Sequence, residues 1–188
     1  MKREDNNQPL EEFGRPIGRA NGRVRDDIIH TEIDSLEFAS EESFVLNRET
    51  SETLVIYCAD PRFRLAFQEF IGKELGIGHH TLLSLAGGVG PFVLFKPESV
   101  QAVQMVDQLR LFISNSGIKQ VLVLSHSDCK WYAKLMPDRD SKKVADRQIA
   151  DLQHFARMVR FEIAEVPVHT YLAVLEKENV RFRKVPPG

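Results

Sequence analysis

Two short segments hold the side chains best suited to chemistry: Cys58-Ala-Asp60-Pro-Arg62, and further along Ser125-His126-Ser-Asp128-Cys129. Between them they contain both cysteines of the chain. Two thiols and one imidazole make up the Cys2His donor set of a catalytic zinc site, which leaves a fourth position for water or a carboxylate. Asp60, two residues past the first thiol, is the candidate for that position. Soft thiolates with an imidazole favour zinc over magnesium or calcium, which prefer oxygen, and redox-silent zinc suits hydrolysis or hydration. The plain alternative is two buried cysteines and a core histidine, since cysteine is among the most buried residue types. The other use for two thiols is a single disulfide bridge, which a reducing compartment disfavours.

Such side chains act together only if the fold brings them to one place. Thr53-Leu-Val-Ile-Tyr-Cys58 is an unbroken β-rich apolar run, as in a strand buried on both faces, and it stops at Asp60-Pro61. From Arg62 to Leu75 the apolar residues Phe63, Ala66, Phe67, Phe70, Ile71 and Leu75 recur at helical spacing, and Gly76 and Gly78 end the run. A strand is expected over 80–85. A helix over 99–116 carries Ala102, Val106, Leu109 and Ile113 on one face. The apolar run VLVL within 119–125 reads as another buried strand, 143–165 returns to helical period, and 166–175 and 180–185 read as closing strands. Strand and helix alternate, which predicts an α/β fold: a mostly parallel central sheet flanked by helices, with right-handed crossovers. In such sheets the ligand site lies at the carboxyl ends of the strands, where both chemical segments fall.

The chain has 188 residues, 43% of them hydrophobic and 28% charged, which is ordinary globular usage and excludes a wholly disordered or fibrous chain. The formal net charge of −2 supplies no overall attraction to nucleic acid or an anionic membrane. No apolar run approaches the roughly 18 residues of a membrane span, and the opening MKREDNNQPLEE lacks the apolar stretch of a secretory signal, so a cytoplasmic location is expected. Residues 1–50 differ from the rest: 7 Lys and Arg stand against 12 Asp and Glu. Gly14, Pro16, Gly18 and Gly22 punctuate the first part, and Ile28, Ile29, Ile33, Leu36 and Phe38 are scattered through the second. The expectation is an N-terminal arm over 1–50, in part mobile or docking on a partner subunit, before a zinc-binding α/β domain over 51–188.

CADPR and HSDC, each at the end of a predicted strand and separated by a long helix, resemble the CxDxR and HxxC signatures of the β-class carbonic anhydrases. The likeness is best over about Leu54–Cys129. It implies a β-carbonic anhydrase-like fold and reversible hydration of CO2 to bicarbonate by a zinc-bound hydroxide. In that family the catalytic unit is a homodimer or a multiple of it, with an N-terminal arm embracing the partner. Carried onto this chain, the resemblance implies that Cys58, His126 and Cys129 bind Zn2+, and that Asp60 and Arg62 form a gating pair. Physically, a carboxylate beside zinc blocks the water position unless a cation competes for it, and a forked guanidinium can do so with two hydrogen bonds. The same comparison puts Gly87, in Ala86-Gly87, near the substrate, with a backbone N–H offered in a loop of close approach.

The chain also departs from the pattern. Where family members usually carry an Arg-Asn pair before the Ala-Gly, it has Ser84-Leu85, and in place of small glycines after the second cysteine it has Lys130-Trp131. Bulk and charge there are expected to narrow the cleft. The same zinc chemistry also suits a hydrolase of carbon disulfide or carbonyl sulfide, and a zinc-binding protein without turnover would keep the metal residues alone. The glycines of Gly87-Gly-Val-Gly90 lack the lysine ending of a phosphate loop. His79-His80 reads as a polar strand start, since adjacent strand residues face opposite ways, and His169 as an ordinary satisfied histidine.

Overall fold

A computed structural model describes residues 42–43, 45–46, 49–96, 98–136 and 140–188. The chain divides into two units, Met1–Leu46 and Asn47–Gly188, and the fold is that of the second; the arm expected over 1–50 lies almost wholly outside the described residues. Its elements are β1 (Thr53–Cys58), α1 (Arg64–Glu69), β2 (Thr81–Leu85), α2 (Gly90–Leu94), α3 (Val100–Asn115), β3 (Gln120–His126), α4 (Lys130–Leu135), α5 (Ser141–Met158), β4 (Val168–Glu176) and β5 (Asn179–Val185).

The five strands form one sheet in the order β2-β1-β3-β4-β5. The first three pairings are parallel, and β5 returns antiparallel to β4. A two-residue turn closes that hairpin, with Lys177 at φ 58, the left-handed backbone such turns require. This is the mostly parallel sheet flanked by helices that the alternating sequence pattern predicts.

Every residue of β1 is buried, because helices cover both faces of the sheet. Successive side chains alternate between them. Leu54 and Ile56, with Val121 and Val123 of β3, pack in the core with Phe92, Leu109, Ile113, Leu152 and Phe155 from α2, α3 and α5. Val55 and Tyr57, with Leu122 and Leu124, join Phe63, Phe67 and Ile71 in a second core. Helix α3 begins where the Ser99 hydroxyl accepts the Ala102 N–H at 3.2 Å, and α5 where Asp140 accepts from the Lys142 and Lys143 N–H groups. These caps satisfy donors that have no partner within the helix.

The helix expected over 62–75 is shorter and changes character. α1 widens into a π-helical turn over Phe70–Glu74, where the Leu75 N–H reaches the Phe70 carbonyl at 3.1 Å, five residues back. Phe70 then stacks on Phe182 of β5, ring centroids 3.9 Å apart. The helix expected over 143–165 likewise ends in a π-helical turn at Val159–Ile163. Two short helices, α2 and α4, answer to no expectation, since five or six residues are too few to show a helical period. Among the described residues no helix is long and apolar enough to cross a membrane.

Candidate metal centre

The chain leaves β1 to pair β2 on one side and later returns to lay β3 on the other, so the connection reverses direction at β1. A crevice opens at the carboxyl ends of the strands at such a switch. Parallel register sets Tyr57 beside Leu124, so Cys58, the last residue of β1, comes alongside the end of β3, where His126 sits. Cys129 follows three residues later, immediately before α4. All three are buried, and their ligand atoms lie within 4.8 Å of one another. Among the described residues this is the one such group of three.

The geometry fits a metal of zinc's preferences. The two sulfurs are 3.7 Å apart, far beyond a disulfide bond, and both cysteines are free. Two sulfurs on a tetrahedral zinc, each at about 2.3 Å, are separated by about 3.8 Å. His126 Nε2 is buried without a hydrogen-bond partner, which leaves its lone pair available to an ion held by the two sulfurs. Its other nitrogen, Nδ1, meets Asp128 Oδ1 at 3.0 Å. That contact fixes the tautomer with the proton on Nδ1 and the lone pair on Nε2, the usual support of a metal-binding histidine. Phe63 packs against the imidazole, ring centroids 4.1 Å apart.

Electrostatics pull the sulfurs apart as a pair. A hydrogen bond from the Cys129 thiol, with smaller help from His126 and the Gly87 N–H, brings Cys58 down to about 4 against the opposing effect of burial. Cys129 is pushed up, by its bond to Cys58 and by burial. Burial works against a charged His126, yet the sulfur of Cys58 and the Asp128 carboxylate raise its pKa. A divalent ion that takes both sulfurs as thiolates must displace the proton that Cys129 holds against Cys58.

Arg62 links the rest. Its Nε lies 3.0 and 3.2 Å from the two oxygens of Asp60, its Nη2 2.6 Å from Asp60 Oδ2, and its Nη1 2.7 Å from Asp128 Oδ2. The backbone N–H of Arg62 also donates to Asp60 Oδ1. Asp60 is accordingly held at about 2, through the Arg62 side-chain bonds first. Its Oδ2 is 4.0 Å from His126 Nε2, longer than the roughly 3.4 Å that a nitrogen and an oxygen span on one tetrahedral zinc. Asp128 too is lowered: burial opposes this, but His126 and Arg62 prevail. The result is a continuous chain from Asp60 through Arg62 and Asp128 to His126.

A pocket of about 310 Å³ opens over the group, lined by Cys58, Asp60, Arg62, Gly87, Cys129 and Trp131 among others. Gly87 has φ +82, a conformation that favours glycine. Two other described histidines that the sequence singles out lie elsewhere. His79 meets the Glu49 carbonyl at 2.9 Å, and His169 lines a separate pocket with Leu75, Ile77 and Tyr171. Sequence reasoning gave no role to Asp128, although an acid two residues after a strand-end histidine is within reach of that ring.

No protein-family model matches the chain, and neither does any curated protein sequence. Solved structures do. The fold is similar to that of β-carbonic anhydrase isoform I from Trichomonas vaginalis, at 17% identity over 78% of this chain and 89% of that one with a TM-score of 0.48. It is similar also to a carbonic anhydrase from Streptococcus mutans, at 14% identity over 77% and 87% with a TM-score of 0.49. A third match, to tetrameric β-carbonic anhydrases from Sordaria macrospora, has 11% identity over 73% and 81% with a TM-score of 0.50. At such identities the likeness is one of fold alone, and it is the Sordaria macrospora match, at a TM-score of 0.50, with which the chain's mostly parallel sheet flanked by helices is shared.

Proposed function

We propose that the protein is a zinc-dependent lyase that interconverts CO2 and bicarbonate, with zinc held by Cys58, His126 and Cys129. The observation that carries this reading is the Arg62 fork: the carboxylate on the Nε2 side of His126, that of Asp60, is tied to a guanidinium rather than lying at ligand distance. A structural zinc site is closed by four protein ligands, whereas a catalytic one keeps a position open. Bound zinc supplies a Lewis acid that lowers the pKa of water toward neutrality.

The chain's own residues do the remainder. Arg62 keeps Asp60 ionised and away from the open position. Asp60, held by Arg62 on both oxygens, has Oδ2 on the His126 side, where a remaining lone pair accepts a hydrogen bond from the attacking water and orients it. Asp128 keeps the His126 lone pair aimed inward. Trp131, Ala59 and Ala86 give the pocket an apolar side for a non-polar gas. The free thiols fit a reducing cytoplasm. A homo-oligomer is part of the proposal, in line with the tetramers named for the Sordaria macrospora structures.

Metal analysis of protein purified without added zinc, paired with a CO2 hydration assay, tests this: about one zinc per chain with turnover is expected, and Cys58→Ser or Cys129→Ser loses both. The apolar Trp131 wall favours a second reading on the same residues, hydrolysis of carbon disulfide or carbonyl sulfide. Sulfide release without CO2 hydration would select it.

A further inference from the structure

Trp131 is the single tryptophan of the chain, on the first turn of α4 and two residues past Cys129. Its six-membered ring occupies the space that side chains at Gly87, in the loop after β2, and at Gly90, the first residue of α2, would need. A Cβ on Gly87 would lie 2.4 Å from Trp131 Cε3, and one on Gly90 2.3 Å from Trp131 Cζ3. Atoms do not pack that closely, so the ring and the two glycines require one another. Tyr132, buried behind it, holds the indole edge-on with ring centroids 5.1 Å apart and an interplanar angle of 79°. The same ring lines the pocket over the triad, together with the charged fork of Asp60 and Arg62. A ligand there meets a polar fork and an aromatic plate.

Building on the zinc site proposed above, we infer that Trp131 is the specificity-determining wall of this pocket. It admits small linear molecules and rejects ligands whose tails would need the volume the indole fills between Gly87 and Gly90. Removing the ring opens a cleft lined by two glycines, into which a flat group fits.

Two metal-binding anions with one head and different tails, acetohydroxamate and benzohydroxamate, measure this without turnover. Binding to the zinc-loaded full chain is followed by calorimetry, and in the wild type also by the fluorescence of Trp131. The wild type is expected to prefer the methyl-tailed anion. Trp131→Ala should shift the affinity ratio toward the phenyl-tailed one by about tenfold or more, the scale on which one apolar group discriminates in a pocket. Trp131→Phe, which keeps an aromatic plate, should stay near the wild type. If Trp131→Ala does not fold, Trp131→Leu carries the test with a smaller shift in the same direction. An unchanged ratio in the folded variant overturns the inference, as does failure of both anions to bind either protein. A shifted ratio in a protein that does not hydrate CO2 would refute the lyase reading and keep the wall; hydration with an unshifted ratio would do the reverse.

Discussion

Asp128 serves two neighbours with its two oxygens, orienting His126 through Oδ1 and anchoring Arg62 through Oδ2. Replacing it with Asn keeps the size and removes the charge that both neighbours prefer. Zinc affinity of Asp128→Asn, measured by competition with a chelator, should fall about 10–100-fold, the usual cost of losing such support. An unchanged affinity would mean that the contact is incidental. At this scale the sequence was informative where residue type alone decides chemistry: two cysteines and a histidine at predicted strand ends mark the group that the fold brings together and that could hold a metal ion. It was silent where spatial neighbours decide. Nothing in Lys130-Trp131 says that the indole will lie on Gly87 and Gly90, since those contacts join segments about forty residues apart. The reach of Arg62 across to Asp128 likewise depends on β1 and β3 being adjacent, which is topology rather than local pattern.

Among the elements, α5 carries a buried polar stripe. Gln148 and Asp151 are buried beside Ser125 of β3 and Tyr132 of α4. Gln148 donates to the Ser125 hydroxyl at 2.9 Å, and Arg147 Nε donates to Asp151 Oδ1 at 2.9 Å. The second oxygen of Asp151 is buried without a partner, and burial raises its pKa above the ordinary 3.8 although Tyr132 and Arg147 oppose this. A carboxyl raised in the folded state binds its proton more tightly there than in the unfolded chain. Stability is therefore fullest below the ordinary value and declines as pH rises from it through the raised native one. Asp151→Asn removes that titration and gives up an ion pair with a half-exposed arginine, a contact of small worth. Urea midpoints taken against pH should show the wild type losing stability relative to Asp151→Asn on going from acid to neutral pH; parallel profiles would contradict the assignment. The main strands and long helices were legible because each is long enough to show its period: β1 as a continuous apolar run, α3 as Ala102, Leu109 and Ile113 on one buried face. The π-helical turns were not, because they keep helical spacing in sequence and differ only in which carbonyl each N–H reaches.

For the whole molecule, the acidic N-terminal segment with its isoleucines offers apolar groups that an arm could set on a second copy. Deleting residues 1–46 removes the first unit and retains Glu49, whose carbonyl meets His79. If the segment embraces a partner, the mass by light scattering should drop toward that of one chain, and an unchanged mass would remove the arm from the assembly. On the proposed function, the buried triad with its Arg62-held carboxylate is an open, working zinc site. Stopped-flow CO2 hydration by fully zinc-loaded protein, from neutral to alkaline pH, tests it most directly, with Arg62→Ala as the paired variant. The wild type should exceed the uncatalysed rate and gain activity as pH rises, while Arg62→Ala keeps its zinc and loses turnover because Asp60 is freed to close the open position. A wild type carrying a full complement of zinc, yet no faster than the uncatalysed reaction across that range, would contradict it.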